Sequence, residues 1–547
     1  MSKSNGSQPN AHARLTSTVD VLVIGAGLAG IYSVHKIRDD LGLSVQGIEA
    51  FEDVGGVWYT NRYPGARVDS LSQVYCYTFN DDLINNWSYS EKYPTQQEIL
   101  RYINFAADKL DVRRSIKFGT RVTSLVWHEK EKQWEARTDR GDVVLAQFVI
   151  SAAGGLSAAN KPDFKDFDNY QGEVYFTAHW PHHEVDLTGK TIGVIGTGSS
   201  GIQVIPELAK VAKSVTVFQR TPHFATPAKN KPHSPEEQKL HREQAHELHG
   251  RLKWSFGGNP LTPLEISVHE ATPEEREKVF DRLYNAGDFS FWLANYNDIL
   301  TDASANDIVA EYLRERIRSI VKDPATAEKL VPKSYPYGTK RQPLETNYYQ
   351  AFNLDHVSLV DINEDPIVGM TVDGIELLSG VRKFDVLVFA TGFDALTGAL
   401  TRIHIVGVDG EELAQKWKDG PSNYLGISVA GFPNLFTITG PGSPGVLANV
   451  PMAIEQHVEL AADIIAYAKE HDISAMEAEV PAQEAWMAHL KELADKTLFP
   501  VAASWYMGAN VPGKPRVFMP YVDGMASYRR ACNEVVAKGY EGFEQRK

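Results

Sequence analysis

Short, continuous apolar runs punctuate this chain, and they set the first expectations about its fold. Residues 19–24, 44–49, 143–150, 191–195, 214–218, 357–361, 384–389 and 435–439 are dominated by Val, Ile, Leu and Phe. Runs of that length without alternation predict strands covered on both faces, as in parallel sheets whose crossovers are helices. Residues 121–127 and 133–138 predict a hairpin at a sheet edge. Residues 453–471 carry Ile454, Val458, Ala461, Ile465 and Ala468 at helical spacing on one face. After Pro232 the pattern changes to long, charged amphipathic stretches opening at Ser234-Pro235, Thr272-Pro273 and Asp323-Pro324. Each of these is an N-cap residue followed by a proline that suits the first helical turn. The fold class read from this pattern is α/β: two doubly wound parallel sheets with a helical insertion. We expect a first unit over 19–160 and 385–547, a second over 161–232 and 333–384, and the insertion over 233–332. The polar residues 1–18 are expected to form a disordered tail. In this division the strand 384–392 carries the chain back to the first sheet, and the insertion is a structural cover that excludes water.

Two of the apolar runs lead into glycine loops. Gly25-Ala26-Gly27-Leu28-Ala29-Gly30 follows the first, and Gly196-Thr197-Gly198-Ser199-Ser200-Gly201 follows the fourth. Both fit G-x-G-x-x-G between a strand and a helix-compatible segment, where close backbone approach and a helix N-terminus accommodate a pyrophosphate. One such loop is weak evidence; two, each behind an apolar strand, are strong. They differ where a ribose is read. Glu49 ends the strand after the first loop, and Arg220, followed by Thr221, stands at the same offset after the second. A carboxylate accepts from a ribose 2′-hydroxyl and repels a 2′-phosphate, whereas a guanidinium grips that phosphate. The first loop therefore reads as an FAD site and the second as an NADPH site. The alternative for Arg220 is a solvated charge at a strand end.

At 547 residues the chain exceeds one ordinary core. A net charge of −15 argues against nucleic acid, and no apolar run reaches membrane-spanning length. With a polar start lacking a signal peptide's apolar centre, the expected location is cytoplasmic. The two cysteines, Cys76 and Cys532, are far apart. They form neither a disulfide framework nor a thiolate zinc site nor the paired redox cysteines of a disulfide reductase. Electrons reaching a flavin must go elsewhere, and oxygen is the simplest acceptor. His179, His182 and His183 lack the thiolate or carboxylate partners of a metal site, so no metal is expected.

Just past Glu49 come Gly55-Gly56-Val57-Trp58-Tyr59 and the stretch Asn61 to Asp69. Paired glycines allow close approach to a cofactor, and Trp58 has either a flavin-facing or a core role. Val57, Tyr75, Val122, Ser199, Ser200 and Gln203 complete the candidate cofactor contacts. The small residues Ala152 to Gly155 leave room for a ligand. Together with Lys340-Arg341, Ala390-Thr391-Gly392-Phe393-Asp394, and Trp505 with Gly508-Ala509-Asn510-Val511-Pro512-Gly513-Lys514, these motifs resemble the type I Baeyer–Villiger monooxygenases. The cyclohexanone monooxygenase group is the nearest match, from about residue 18 onward. The resemblance implies that NADPH reduces FAD and that reduced flavin and O₂ give a C4a-peroxide. That peroxide, kept anionic, attacks a ketone, most simply a cyclic one, to yield an ester or lactone. It implies Arg341 as the catalytic cation, Asp69 as the carboxylate that orients it, and Trp505 as a nicotinamide contact. Arg220, Thr221 and Lys340 are implied as 2′-phosphate contacts. Without it, Arg341 with Asp69 reads as a plain buried ion pair, Lys340 as an exposed charge and Trp505 as core.

One position departs from the family's F-x-G-x-x-x-H-x-x-x-W-P fingerprint. The frame runs from Tyr170 through Gly172 to Trp180-Pro181, and Phe176 occupies the histidine position. The hydrogen bond of that histidine is lost, with His179 a possible substitute. Two alternatives to the ketone oxygenase stay open: a sulfide or amine monooxygenase, and a weakly coupled NADPH oxidase. The loops at 447–449 and 519–520 are expected to line the substrate pocket.

Overall fold

The apolar strands that precede the two glycine loops sit inside separate sheets, each between parallel neighbours. The computed structural model describes residues 16–547. Residues 1–15 of the expected tail lie outside the described residues, whereas residues 16–18 already belong to the first strand. That strand, Thr16–Ile24, pairs in parallel with Val45–Ile48 on one side and Val143–Ser151 on the other. Val21, Leu22 and Val23 have no exposure at all, as expected when helices cover both faces. Val143–Ser151 also pairs antiparallel with Gln133–Thr138, which makes a hairpin with Val122–His128. His404–Val406 and Ile116–Lys117 close the two edges, and Leu435–Thr437 runs parallel to Val143–Ser151.

The second sheet is wholly parallel, in the order Val357–Asp361, Ser214–Gln219, Thr191–Ile195, Val386–Phe389, Glu173–Phe176. This corrects one expectation. Val386–Phe389 is not the return strand of the first sheet; it lies between Thr191–Ile195 and Glu173–Phe176, with Val386 opposite both Ile192 and Glu173. Its apolar content suits either sheet. The choice follows from the backbone partners, since all four residues are buried and need neighbours on both edges. The chain reaches the first sheet again only at His404–Val406.

Helix Val450–Glu470 packs on helix Leu28–His35, burying Ile454, Val458 and Ala461 among Ile31 and Tyr32. Each fully buried aliphatic side chain there contributes about 1.5–3 kcal/mol. The N-cap–proline signals open real helices at Pro235–Leu252, Pro273–Ala286 and Pro324–Leu330. Ser234 with Glu237 and Thr272 with Glu275 form reciprocal capping boxes, each satisfying orphan N–H groups at the helix start. The insertion has its own core around Phe280, Phe291, Tyr296, Val309 and Leu313. It also grips the segment ahead of Lys340. The buried amide of Asn306 donates to the carbonyls of Ile299 and Tyr337 at 2.6 and 2.8 Å and accepts from the Tyr337 N–H at 2.8 Å. No helix among the described residues is long and apolar enough to cross a membrane.

Candidate functional site

Gly25 and Gly196 adopt φ of +103° and +110°, a region that side chains other than glycine rarely enter. A Cβ at either would lie 2.5 Å from a carbonyl oxygen, of Ala152 in the first sheet and Ala390 in the second. A Cβ on Gly30 or Gly201 would press to 1.9 or 2.3 Å against the carbonyl oxygen of Gly25 or Gly196. Helices Leu28–His35 and Ser199–Val211 start directly after Gly27 and Gly198. Both loops are thus bare backbone cradles at helix N-termini, the shape and polarity a pyrophosphate needs. The Ala152/Ala390 equivalence shows why Val386–Phe389 belongs to the second sheet: its end backs the second cradle as Ser151-Ala152 backs the first.

The acidic and basic positions differ as their chemistry requires. Glu49 is buried, accepting from the Ala26 and Phe51 N–H groups at 2.6 and 2.9 Å. Burial pushes its carboxyl up while those bonds pull it down. A carboxylate has room for further donors beyond two, so a ribose diol can still be received. Arg220 is exposed, and neither it nor Lys340 forms an ion pair among the described residues. Lys340 lies 4.3 Å from the Tyr335 ring centroid. Burial, and then the charge of Arg220, lower its ammonium to about 8. Two neighbouring cations without a carboxylate leave a site fitted to an anion such as a 2′-phosphate. Thr197 reaches back to the carbonyl of Thr221 at 3.1 Å, joining the loop to that strand end.

Arg341 meets Asp69 through two bonds, Nη2–Oδ1 at 2.7 Å and Nε–Oδ2 at 3.2 Å. Its Nη1 faces the carbonyl of Val446 at 3.4 Å, and Phe289 stacks 5.0 Å from the guanidinium. Asp69 raises the already high guanidinium pKa against the effect of burial, so the cation is permanent. Both residues line one cavity with Leu447, Ala448 and Asn449. The expected lining at 519–520 is not part of it. Met519 is buried and its carbonyl accepts the Gly442 N–H at 2.6 Å, so it braces the loop from behind.

Trp58 donates its indole N–H to the Tyr75 hydroxyl at 2.9 Å, with the rings edge to face. Tyr75 directly follows Val74, which lines the cavity. Val57 begins the short helix after Gly56, whose φ is +56°. Val122 is core, packed with Ile24 and Ile48, so only its backbone could meet a cofactor. Gln203 uses both ends of its amide elsewhere, accepting from Tyr63 at 2.8 Å and donating to the Arg67 carbonyl at 3.0 Å. It ties the Ser199–Val211 helix to the 61–69 loop, and no sequence signal distinguishes that role. Trp505 stands on the short turn Trp505–Met507, its ring 4.4 Å from that of Tyr506 and tilted by 51°. Phe176 joins an aromatic cluster, 5.0 Å from Phe389. The linker there is held by the His179 N–H to the Phe176 carbonyl and the Thr177 N–H to the Phe389 carbonyl, both at 3.0 Å. The imidazole of His179 takes no part in that linkage.

The sequence reading missed Tyr93, Asp288, Phe289 and Trp292, all on the cavity wall. Three of these belong to the insertion, which is therefore part of the site and not merely its cover. No motif marks them; only packing brings them there.

Residues 18–241 match the family model described as flavin-binding monooxygenase-like. A Baeyer–Villiger monooxygenase of Pseudooceanicola batsensis is 41% identical over 97% of this chain and 98% of its own length. An acetone monooxygenase (methyl acetate-forming) of Gordonia sp. is 40% identical over 96% of this chain and 99% of its own. Among solved structures, OTEMO in complex with FAD and NADP superposes with a TM-score of 0.94. It is 40% identical and covers 96% of this chain and 99% of that one.

Proposed function

Because the chain belongs to the Baeyer–Villiger monooxygenases, we propose how its own residues perform that reaction. The protein is an FAD- and NADPH-dependent flavin monooxygenase that converts ketones, with O₂, to esters or lactones. Bound FAD, once reduced by NADPH, supplies the activation of oxygen. Gly25, Gly27, Gly30, Glu49, Gly56, Val57 and Trp58 would hold FAD. Gly196 to Ser200, Arg220, Thr221, Lys340 and Trp505 would hold NADPH, the source of the hydride. Cyclic ketones are the substrate class we favour.

The observation that carries this reading is the doubly bonded Asp69–Arg341 pair on the cavity wall. Arg341 supplies a fixed positive charge where negative charge develops on oxygen, in a partly buried site. Asp69 keeps the guanidinium plane in one orientation. Incubation with NADPH, O₂ and a panel of cyclic and linear ketones should yield lactones or esters. Hydrogen peroxide alone across a broad panel would sink the reading, and sulfoxide formation without ketone turnover would favour the heteroatom oxygenases instead. Arg341→Ala should lower product formation by about a hundred- to a thousandfold while NADPH still bleaches the flavin. Undiminished product would remove Arg341 from its role.

A further inference from the structure

The cavity that Arg341 lines holds a second carboxylate, Asp288, for which the reaction has no evident use. Asp69 and Asp288 share this wall with Leu71, Val74 and Phe289. Both oxygens of Asp69 are engaged by Arg341. Asp288 differs. Its Oδ1 accepts the Ser290 N–H at 2.7 Å, and its other oxygen has no hydrogen-bond partner among the described residues. The charge of Asp288 is felt by the Lys92 ammonium, yet the two form no ion pair. The Lys92 ammonium donates instead to the carbonyls of Gly287 and Ala286 at 2.8 and 3.2 Å. The Ser70 hydroxyl on the same wall is likewise without a partner among the described residues.

Asp288 is only partly buried and its second oxygen is not among the buried unsatisfied atoms, so it can accept from a donor on a bound molecule. The plain explanation is a turn-forming residue at the start of the short helix Ser290–Leu293. That role engages only Oδ1, and an uncharged Asn or Ser would serve it equally. It leaves the charge and the second oxygen unexplained. Phe289, next in the chain, stacks on Arg341, and Asp288 and Arg341 both line the one cavity.

We propose that Asp288 selects ketones carrying a hydrogen-bond donor, a hydroxyl or an ammonium group, away from their carbonyl, and rejects ketones carrying a carboxylate. This rests on the Baeyer–Villiger reading and adds the substrate's second recognition point. A hydrogen bond to a charged group corresponds to about ten- to a hundredfold in kcat/KM, and a like charge brought beside Asp288 acts in the opposite sense.

The test uses the FAD-loaded full chain with NADPH. Wild type should favour 4-hydroxycyclohexanone over 4-methylcyclohexanone by about tenfold or more, and should turn over 4-oxocyclohexanecarboxylate least. Asp288→Asn keeps the turn, and should raise the carboxylate-to-methyl ratio about tenfold while leaving the hydroxyl preference. Asp288→Ala should lose both preferences. Ratios that do not change between wild type and the two variants overturn the proposal. Binding gives a second readout that needs no turnover: titrating the oxidised holoenzyme and following flavin absorbance. Cyclohexylammonium should bind more tightly than cyclohexanecarboxylate, and that difference should vanish in Asp288→Asn; equal affinities in wild type overturn the inference. If no ketone yields an ester yet the binding difference is present, it is the Baeyer–Villiger reading that fails.

Discussion

Around Gly25 and around Gly196 the backbone follows the same path against Ala152 and Ala390, yet the two crevices are finished differently. A Cβ on Gly27 would lie 3.4 Å from the Cα of Gly56, so a second glycine pair covers the first loop; a Cβ on Gly198 would meet nothing within 4 Å. Glu49 is buried and anchored by backbone N–H groups, whereas Arg220 is exposed and held by none. The first crevice is covered and carries an anchored acceptor, while the second is open and carries two cations without ion-pair partners among the described residues. One fingerprint is thus finished in two ways, and the residues around the glycines make the difference.

The contrast breaks most completely at Gly30. A Cβ there presses on the Gly25 carbonyl, a backbone atom that cannot rotate away. Gly30→Val should give a protein without bound flavin, colourless by absorbance and inactive with every ketone. Gly198→Ala, facing open space, should keep its flavin. Full yellow occupancy in Gly30→Val would show that the first cradle is not where FAD sits.

Arg220→Glu comes next. Flavin content should stay normal while KM for NADPH rises about ten- to a hundredfold and the preference over NADH collapses. An unchanged cofactor ratio would move the 2′-phosphate elsewhere.

A smaller, graded effect should come from pH. The Lys340 ammonium titrates at about 8 because burial and then Arg220 disfavour its charged form. Below that pH it is charged and would attract a 2′-phosphate; as pH rises through 8 the charge is lost and KM for NADPH should climb, by at most about tenfold per pH unit. Phosphate binding itself raises the Lys340 pKa, so binding above pH 8 takes up a proton. Lys340→Arg should flatten the profile, and a flat profile in wild type would exclude Lys340 from the site.

The smallest effect is expected at Phe176→His. The ring packs on Phe389, and the linker's backbone bonds do not involve it. Losing the stack costs about 0.5–1.5 kcal/mol, visible as a lower Tm, with the ratio of ester formed to NADPH consumed unaltered. A marked improvement in that ratio would instead support the weakly coupled oxidase reading of the wild-type chain.

Both glycine loops, the hairpin, the capped insertion helices and the Val450–Glu470 helix were legible from the chain alone. Each depends on residues a few positions apart: glycines that must accept a positive φ, N-cap side chains that satisfy nearby N–H groups, apolar positions that recur with the helical turn. Four things were not. Val386–Phe389 is apolar enough for either sheet, and its place follows from Ile192 and Glu173, far away in sequence. The bonds of Gln203 to Tyr63 and Arg67, which tie its helix to the 61–69 loop, join residues far apart in sequence. Met519 stands behind the pocket loop because its carbonyl accepts from Gly442, and Asp288 reaches the pocket only because the insertion folds against Arg341. Local backbone demands are written residue by residue, so the sequence by itself determined the elements and the kind of ligand each loop accepts. Which strand edges meet, and which side chains end up facing one cavity, depend on distant groups competing for the same hydrogen bonds and buried space, and only the tertiary structure decided those.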